Sequence, residues 1–425
     1  MRETRFKDSE IGLIPEDWEV KRLGDMCHLQ NGFAFPSSSF GDIGKTVIRI
    51  SDINNLSVNV CNSVKSTSEV PEQFKLRKGD MLIAMSGATT GKIGVFDSDI
   101  EAYINQRVGR FDVNSALDRS FLLCYLQSDF FDAFLTNELV AGAQPNISST
   151  QIENLKVIFP SLIEQKRIAS ALSDVDGLLR ELGELIAKKK AIKMGMMQEL
   201  LTVEAVPGKE GAFRPKRRLE GFEGDWVEKR LGEIGEVIRG VGYKPEQSYS
   251  EYRPNTICLL RSNNVNAGFI NYDNVVYVDD YCVSDKQMMC EGDVLICAAN
   301  GSRQLVGKSA RLVGRSNVTF GAFMAVFRCD DCQKSGFVSF LLQSDSYKKQ
   351  LDEVLTGSAI NNLNGRMIEN LLFVMPNDKT EQTAIAEVLS DMDAEIAALE
   401  AKRAKYEQVK NGMMQELLTG KIRLV

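Results

Sequence analysis

The sequence holds one histidine, His28, in 425 residues. Histidine is the side chain most often used to move protons near neutral pH, so its scarcity narrows the range of enzymatic readings. His28 lies in Met26-Cys-His-Leu29, which reads as a strand entering a core, and a structural role suits it there. Every apolar run falls short of the roughly 18–20 residues that a membrane span needs. Met1-Arg-Glu-Thr-Arg-Phe-Lys-Asp8 has no apolar segment behind its charges and does not read as a signal peptide. Both absences point to the cytoplasm, with no membrane among the partners. The nine cysteines are an odd number, which in a long cytosolic chain argues for free thiols. Cys329-Asp-Asp-Cys332 is a lone pair, and zinc needs two further ligands, so no metal is expected. Positive charge is not in excess either: 51 Lys and Arg stand against 58 Asp and Glu, a net charge of −7. That argues against indiscriminate coating by nucleic acid. A local basic groove stays open, because only the charge at an interface counts.

What the sequence does have is repetition, which governs everything else. Asp17-Trp-Glu-Val-Lys-Arg-Leu-Gly-Asp25 returns as Asp225-Trp-Val-Glu-Lys-Arg-Leu-Gly-Glu233, and the only two tryptophans, Trp18 and Trp226, lie in these segments. Lys78-Gly-Asp-Met-Leu-Ile83 returns as Glu291-Gly-Asp-Val-Leu-Ile296, and Leu126-Gln-Ser-Asp129 as Leu342-Gln-Ser-Asp345. Ile152-Glu-Asn-Leu155 returns as Ile368-Glu-Asn-Leu371, and Met196-Met-Gln-Glu-Leu-Leu-Thr202 as Met413-Met-Gln-Glu-Leu-Leu-Thr419. The offset drifts from 208 to 217 along the globular part and then stays at 217 from Glu164 to Thr202. Each copy therefore has a variable globular part followed by a segment of fixed length.

The fixed segment carries a heptad seam: Ile168, Leu172, Val175, Leu179, Leu182 and Ile186 in the first copy, Ile385, Leu389, Met392, Ile396 and Leu399 in the second. Lys189 and Lys193, like Tyr406 and Lys410, break the apolar pattern before Met196/Met413 and Leu200/Leu417 restore it. Pro160 and Pro376 fall just ahead of the helix starts. At 1.5 Å per residue each helix spans about 58 Å. Two seams of one length in one chain predict an intramolecular coiled coil. The long separating domains permit either orientation, and the expected one is antiparallel, which would place the two globular parts at opposite ends. The globular parts mix strand runs such as Val47–Ile50 and Met81–Ala84 with short helices near Phe121–Gln127 and Phe337–Gln343. The expected fold is mixed α/β with a pseudo-two-fold internal repeat: a domain over 1–160, a helix over 161–202, a linker over 203–224, a second domain over 225–376 and a second helix over 377–425. The basic run Arg214-Pro-Lys-Arg-Arg218 reads as solvated linker.

Ser86-Gly-Ala-Thr-Thr-Gly-Lys-Ile-Gly94 has the look of a phosphate loop, but the spacing is wrong. Three residues separate Gly87 from Gly91 and Ile93 follows Lys92, whereas five separate Gly301 from Gly307 in the second copy. A nucleotide cradle needs four, then Lys and a hydroxyl, so that successive N–H groups wrap the phosphates. What remains is a set of polar loops recurring in both copies. In the first they offer Lys45, Arg49, Ser51, Asn54, Asn55, Ser86, Thr89, Thr90, Lys92, Asn105, Gln106, Arg107, Gln144 and Asn146. In the second they offer Lys244, Arg261, Asn263, Asn264, Asn300, Ser302, Arg303, Gln304, Lys308, Asn361, Asn362, Asn364 and Arg366. Asn and Gln pair with adenine, Arg with guanine, and Ser, Thr and Lys with phosphate. The same residue types also fill turns for backbone reasons.

The paired Gly-Asp-[Met/Val]-Leu-Ile strand, the Pro…Glu-Gln entry to a long helix and the Met-Met-Gln-Glu-Leu-Leu-Thr ending resemble the specificity subunits of type I restriction-modification systems. The resemblance covers nearly the whole chain. It implies two target recognition domains and two conserved helical spacers, in a subunit without catalysis of its own. It further implies a bipartite double-stranded DNA target, two methyltransferase subunits that dock on the helices, and restriction-translocase subunits. S-adenosylmethionine, ATP and magnesium would belong to those partners. The sequence has no [Asp/Asn]-Pro-Pro-aromatic methyltransferase motif. Neither globular part is basic: residues 17–160 carry 13 Lys and Arg against 17 acids, and 225–376 carry 16 against 18. Partner subunits would then be needed to close a basic channel. Two other readings are a nucleotide-dependent enzyme built on the glycine loops and a coiled-coil scaffold with two peptide-binding domains.

Overall fold

The computed structural model describes residues 5–54, 56–140, 145–266, 268–331, 334–356 and 361–424. The chain divides into two compact units, Met1–Gly183 with Ala401–Val425, and Glu184–Glu400. The fold is mixed α/β in both.

In the first unit the central strand is Asp80–Ala84, all five residues buried, with Val108–Val113 on one side and Ile93–Phe96 on the other. A continuous apolar run suits a strand covered on both faces. Cys27–Asn31 extends the sheet beyond Val108–Val113. A second sheet pairs Ala102–Ile104 in parallel with Lys45–Ile48. The second unit repeats the plan: Val294–Cys297 lies between Met324–Cys329 and Ser309–Arg311, with Gly235–Arg239 outermost. Its second sheet pairs Thr256–Leu260 in parallel with Val318–Phe320. The repeated Gly-Asp has a local cause. Asp80 accepts the backbone N–H of Arg77 at 2.8 Å, and Asp293 that of Cys290 at 2.8 Å, so each carboxylate closes the turn that launches the central strand. Asp293 also receives a two-pronged bond from Arg328, at 2.9 and 2.7 Å.

The long helices are Leu162–Leu201 and Lys379–Leu418. They run antiparallel within each unit. In the first, Asp176 meets Lys410 at 2.7 Å and Arg167 donates to the Leu424 carbonyl at 3.1 Å. In the second, Lys189 meets Glu395 at 2.6 Å and Lys193 meets Asp393 at 2.5 Å. Of the seam residues, Ile168, Leu172, Leu182, Ile186, Ile385, Leu389 and Ile396 are buried, while Val175, Leu179, Met392 and Leu399 are partly so. Ile168 and Leu172 also belong to the core of the first domain, and Ile385 and Leu389 to that of the second. Lys193 and Lys410, which break the apolar pattern in sequence, stay in the seam as ion-paired residues at 11% and 15% side-chain exposure.

The two tryptophans are fully buried, and each indole N–H donates to a buried glutamate at the start of its own copy's helix: Trp18 to Glu164 at 2.9 Å, Trp226 to Glu381 at 3.2 Å. Each glutamate is closed off by an arginine arriving after the other copy's helix. Arg423 grips Glu164 and Arg218 grips Glu381. The basic run is therefore a solvated linker only in part: Arg214, Lys216 and Arg217 are exposed, while Arg218 is drawn in. A hairpin of Val203–Ala205 and Phe213–Pro215 joins the strand Trp226–Arg230, Arg217 pairs with Glu199 at 3.0 Å, and Arg218 is held inside the second unit.

His28 sits on a strand as its sequence suggests, but it faces outward, with Nδ1 at 2.8 Å from Glu153. Burial pushes the thiols of Cys27 and Cys329 up to about 12, and those of Cys124 and Cys297 up to about 11. Cys61 and Cys290 are exposed. A maleimide reagent at neutral pH is expected to label Cys61 and Cys290 in the native protein and to reach Cys27, Cys124, Cys297 and Cys329 only on unfolding, as read by peptide mass mapping. Among the described residues no cluster of His, Cys, Asp or Glu could hold a metal ion, and Cys332 lies outside them. No helix among them is long and apolar enough to cross a membrane.

Candidate nucleic-acid interface

Backbone pairing puts the recurring loops of the two units into one register. Met85 N–H donates to the Arg107 carbonyl at 2.9 Å, and Ala298 N–H to that of Phe323 at 2.9 Å. Ile147 N–H donates to Met85 and Leu363 N–H to Ala298, at 2.9 and 2.7 Å. Bridges join Ser86 to Asn146, Ala299 to Asn362, Phe33 to Asn105 and Val241 to Gly321. Arg107 and Phe323 thus occupy equivalent places, as do Gln106 and Ala322, Ser86 and Ala299, and Arg49 and Arg261.

In the first unit these segments enclose an open cleft of about 630 Å³ that gathers Ser86, Gln106, Arg107 and Asn146, with Asn31 and Ser149 beside them. In the second unit a larger cleft of about 1090 Å³ gathers Arg261, Asn263, Asn300 and Asn361. Asn31, Ser149, Tyr243, Ser262 and Phe323 were not picked out by sequence. The equivalence of Phe323 with Arg107 could have been found by carrying the strand alignment through to the turn that follows it. Arg49 and Arg261 each bury an Nε without a partner, and so does the Ser86 hydroxyl, leaving polar capacity at equivalent places.

Other sequence candidates lie elsewhere or serve the chain itself. Asn264 is fully buried; its amide donates to the carbonyls of Asn271 and Asp273, at 2.9 and 3.1 Å, and accepts the Arg261 N–H. It shapes the loop from within and does not offer its amide outward. Asn364 caps a short helix by accepting the Met367 N–H at 3.0 Å. Thr89 and Thr90 donate to backbone carbonyls of Ile50 and Pro145, at 3.2 and 2.5 Å. Arg303 turns toward Asp352 and Thr356. Lys45 sits at the opposite end of its strand from Arg49, over the Tyr103 ring at 4.9 Å. Ser51, Asn54, Lys92, Lys244, Ser302, Gln304, Lys308, Asn362 and Arg366 are exposed, and Asn105 is partly so. Asn55 and Gln144 lie outside the described residues.

The glycine loop is not built to hold phosphate. Its N–H groups are engaged by the chain itself: Gly87 donates to Pro145, Thr90 to Gly87, Gly91 to Ala84 and Lys92 to Thr89. A strand follows, Ile93–Phe96, where a phosphate loop would open a helix whose N-terminus faces the anion. The glycine of the Gly-Lys shared by both copies has a packing cause. Gly91 and Gly307 have φ of +87° and +83°, and a Cβ there would come within 2.5 Å of Leu135 and 2.3 Å of Leu351. The end of the loop is thus fixed against a helix, and its middle is free to differ between copies.

The type I restriction modification DNA specificity domain matches the chain twice, over residues 15–193 and 223–410. The chain is 26% identical to the type I restriction enzyme MjaVIII specificity subunit of Methanocaldococcus jannaschii, over all of this chain and 97% of that one. It is 28% identical to the EcoKI specificity subunit of Escherichia coli (strain K12) over 46% of this chain and 42% of that one. Among solved structures, the specificity subunit from M. genitalium aligns over 94% of this chain and 96% of that chain, with a TM-score of 0.57 at 15% identity. A chain solved in work on complex assembly and conformational transition of the type I R-M system aligns over 96% and 99%, also with a TM-score of 0.57, at 18% identity.

Proposed function

The chain belongs to the family of type I restriction-modification specificity subunits, and on that premise we propose that each of its domains reads one half of a bipartite, asymmetric DNA target. The observation that carries this reading is the double cleft: one backbone register, used twice, lined with different side chains. A framework held constant while its lining changes suits two readers of unlike half-sites. It does not suit an enzyme that must keep one set of reacting groups. In the first cleft Gln106 and Arg107 are suited to paired hydrogen bonds on adenine and guanine, each worth about 1–3 kcal/mol of discrimination.

The paired helices set the unread gap between the half-sites and dock the methyltransferase subunits, two by the pseudo-symmetry of the repeat. Restriction-translocase subunits complete the assembly. The chain itself does no chemistry; S-adenosylmethionine, ATP and magnesium act in the partner subunits. With 58 acidic against 51 basic residues, the chain by itself is expected to hold DNA weakly, and its partners supply the remaining cationic surface.

Exchange of residues 225–376 for the corresponding domain of another family member tests the reading. Sequencing of methylated sites in cells carrying the hybrid with its methyltransferase partner is expected to show one half-site replaced and the other retained. A change in both halves, or in neither, refutes independent reading.

A further inference from the structure

The two clefts differ in chemistry at the same register positions. In the first, the turn after the parallel strand presents Gln106 and Arg107, both exposed. In the second, the turn presents Ala322 and Phe323, neither of which has a polar side-chain atom. Phe323 is 73% exposed, more than any other phenylalanine among the described residues. It stands at the mouth of the 1090 Å³ cleft, whose wall continues through Val241, Tyr243 and Ala299. Arg261, Asn263, Asn300 and Asn361 supply polar groups in the same cleft. The Asn300 amide is oriented by its bond to the Ser262 hydroxyl at 3.1 Å.

An apolar tip cannot hydrogen-bond to a base edge. The one apolar feature that a base pair displays in the major groove is the C5-methyl group of thymine. The neighbouring asparagines match the N6 and N7 of the adenine paired with it. Resting on the reading of this chain as a DNA-recognition subunit, we propose that the half-site read by residues 225–376 contains a T·A pair whose thymine methyl is taken up against Phe323 and Ala322. The first half-site is read at the equivalent position by the polar pair Gln106 and Arg107.

The test uses the full chain in complex with its methyltransferase partners, on duplexes carrying the methylated target. Each thymine of the second half-site is replaced in turn by deoxyuridine, which removes only the methyl group. One replacement is expected to weaken binding roughly four-fold, what burying one methyl group amounts to at about 0.8 kcal/mol. In Phe323→Ala that penalty is expected to disappear, while base changes in the first half-site keep their full effect and so report an intact complex. Indifference to every deoxyuridine, or a penalty that persists in Phe323→Ala, overturns the proposal and leaves DNA reading intact. Absence of any sequence-selective binding by the complex overturns both.

Discussion

Arg423→Ala is expected to destabilise the first unit by about 3–5 kcal/mol, the usual cost of leaving one partner of a buried ion pair behind. The Arg423 guanidinium donates to Glu164 at 2.6 and 2.8 Å and to Asp17 at 2.8 and 2.7 Å, and lies over the Trp18 ring at 5.2 Å. The Glu164 side chain is 2% exposed and Arg423 12%. Without the arginine, the Trp18 indole is the side-chain donor left, among the described residues, to a carboxylate cut off from water. Lysine cannot replace the fork, so Arg423→Lys is expected to recover part of the loss at most.

The measurement is direct because each unit holds one tryptophan in this arrangement. In a Trp226→Phe background, urea unfolding followed by fluorescence reports on Trp18 alone. Arg423→Ala should lower its midpoint, and Glu164→Gln added to it should restore a part by removing the stranded charge. A loss below about 1 kcal/mol would show the pair to be solvated, as surface pairs are. The hydrogen bond from Arg423 also holds the Asp17 carboxyl below its usual value. That contribution is complete above the unfolded value of about 3.9 and fades as pH falls through the lowered folded value. The part of the acid sensitivity of the first unit that comes from Asp17 should therefore be smaller in Arg423→Ala, where only its backbone hydrogen bond and Lys7 still favour the charged form.

Lys193→Ala is expected to cost the second unit about 2–4 kcal/mol, and the double variant Lys193→Met/Asp393→Leu little or nothing. Lys193 Nζ lies 2.5 and 2.6 Å from the two Asp393 oxygens and 5.2 Å from the centre of the Phe340 ring. The exposures are 11% and 15%, so the lone aspartate left by the single change has little water to turn to. Lys410 and Asp176 make the equivalent pair in the first unit, but Asp176 is 40% exposed, and Lys410→Ala should be milder. Calorimetric midpoints of the four proteins decide this. Equal losses for the single and double variants would make packing, not charge, the cause. The pairs also mark orientation. The copies are offset by 217 residues, a whole number of heptads, so a parallel in-register pairing would set Lys193 against Lys410 and Asp176 against Asp393. Only the antiparallel arrangement matches opposite charges, the use of buried polar residues that is best supported in coiled coils.

The repeat, the helices and the mixed α/β class were legible because each leaves a periodic or duplicated trace in the sequence. Leu172 and Leu389, or Asp80 and Asp293, announce themselves by recurring. The role of Arg218 did not, because the hairpin of 203–215 separates it from the helix it follows, and its equivalence with Arg423 exists only in space. Phe323 was hidden for a different reason. A search for base-reading chemistry looks for polar side chains, and this position differs from Arg107 by having none. Asn264 misled in the opposite direction. An asparagine that holds a turn from inside is written with the same letter as one that reaches a base, and burial alone separates them.

The arginine closure has a consequence for synthesis. Glu164 and the arginine that completes its site are 259 residues apart in the chain, whereas Arg218 precedes Glu381. At roughly 5–20 residues per second, the first unit leaves the ribosome with Glu164 and Trp18 waiting some tens of seconds for Arg423. The domain that is made first is therefore finished last. Until then its carboxylate must stay hydrated and its tryptophan only partly covered, which makes the unpaired first unit the state that a chaperone or protease meets.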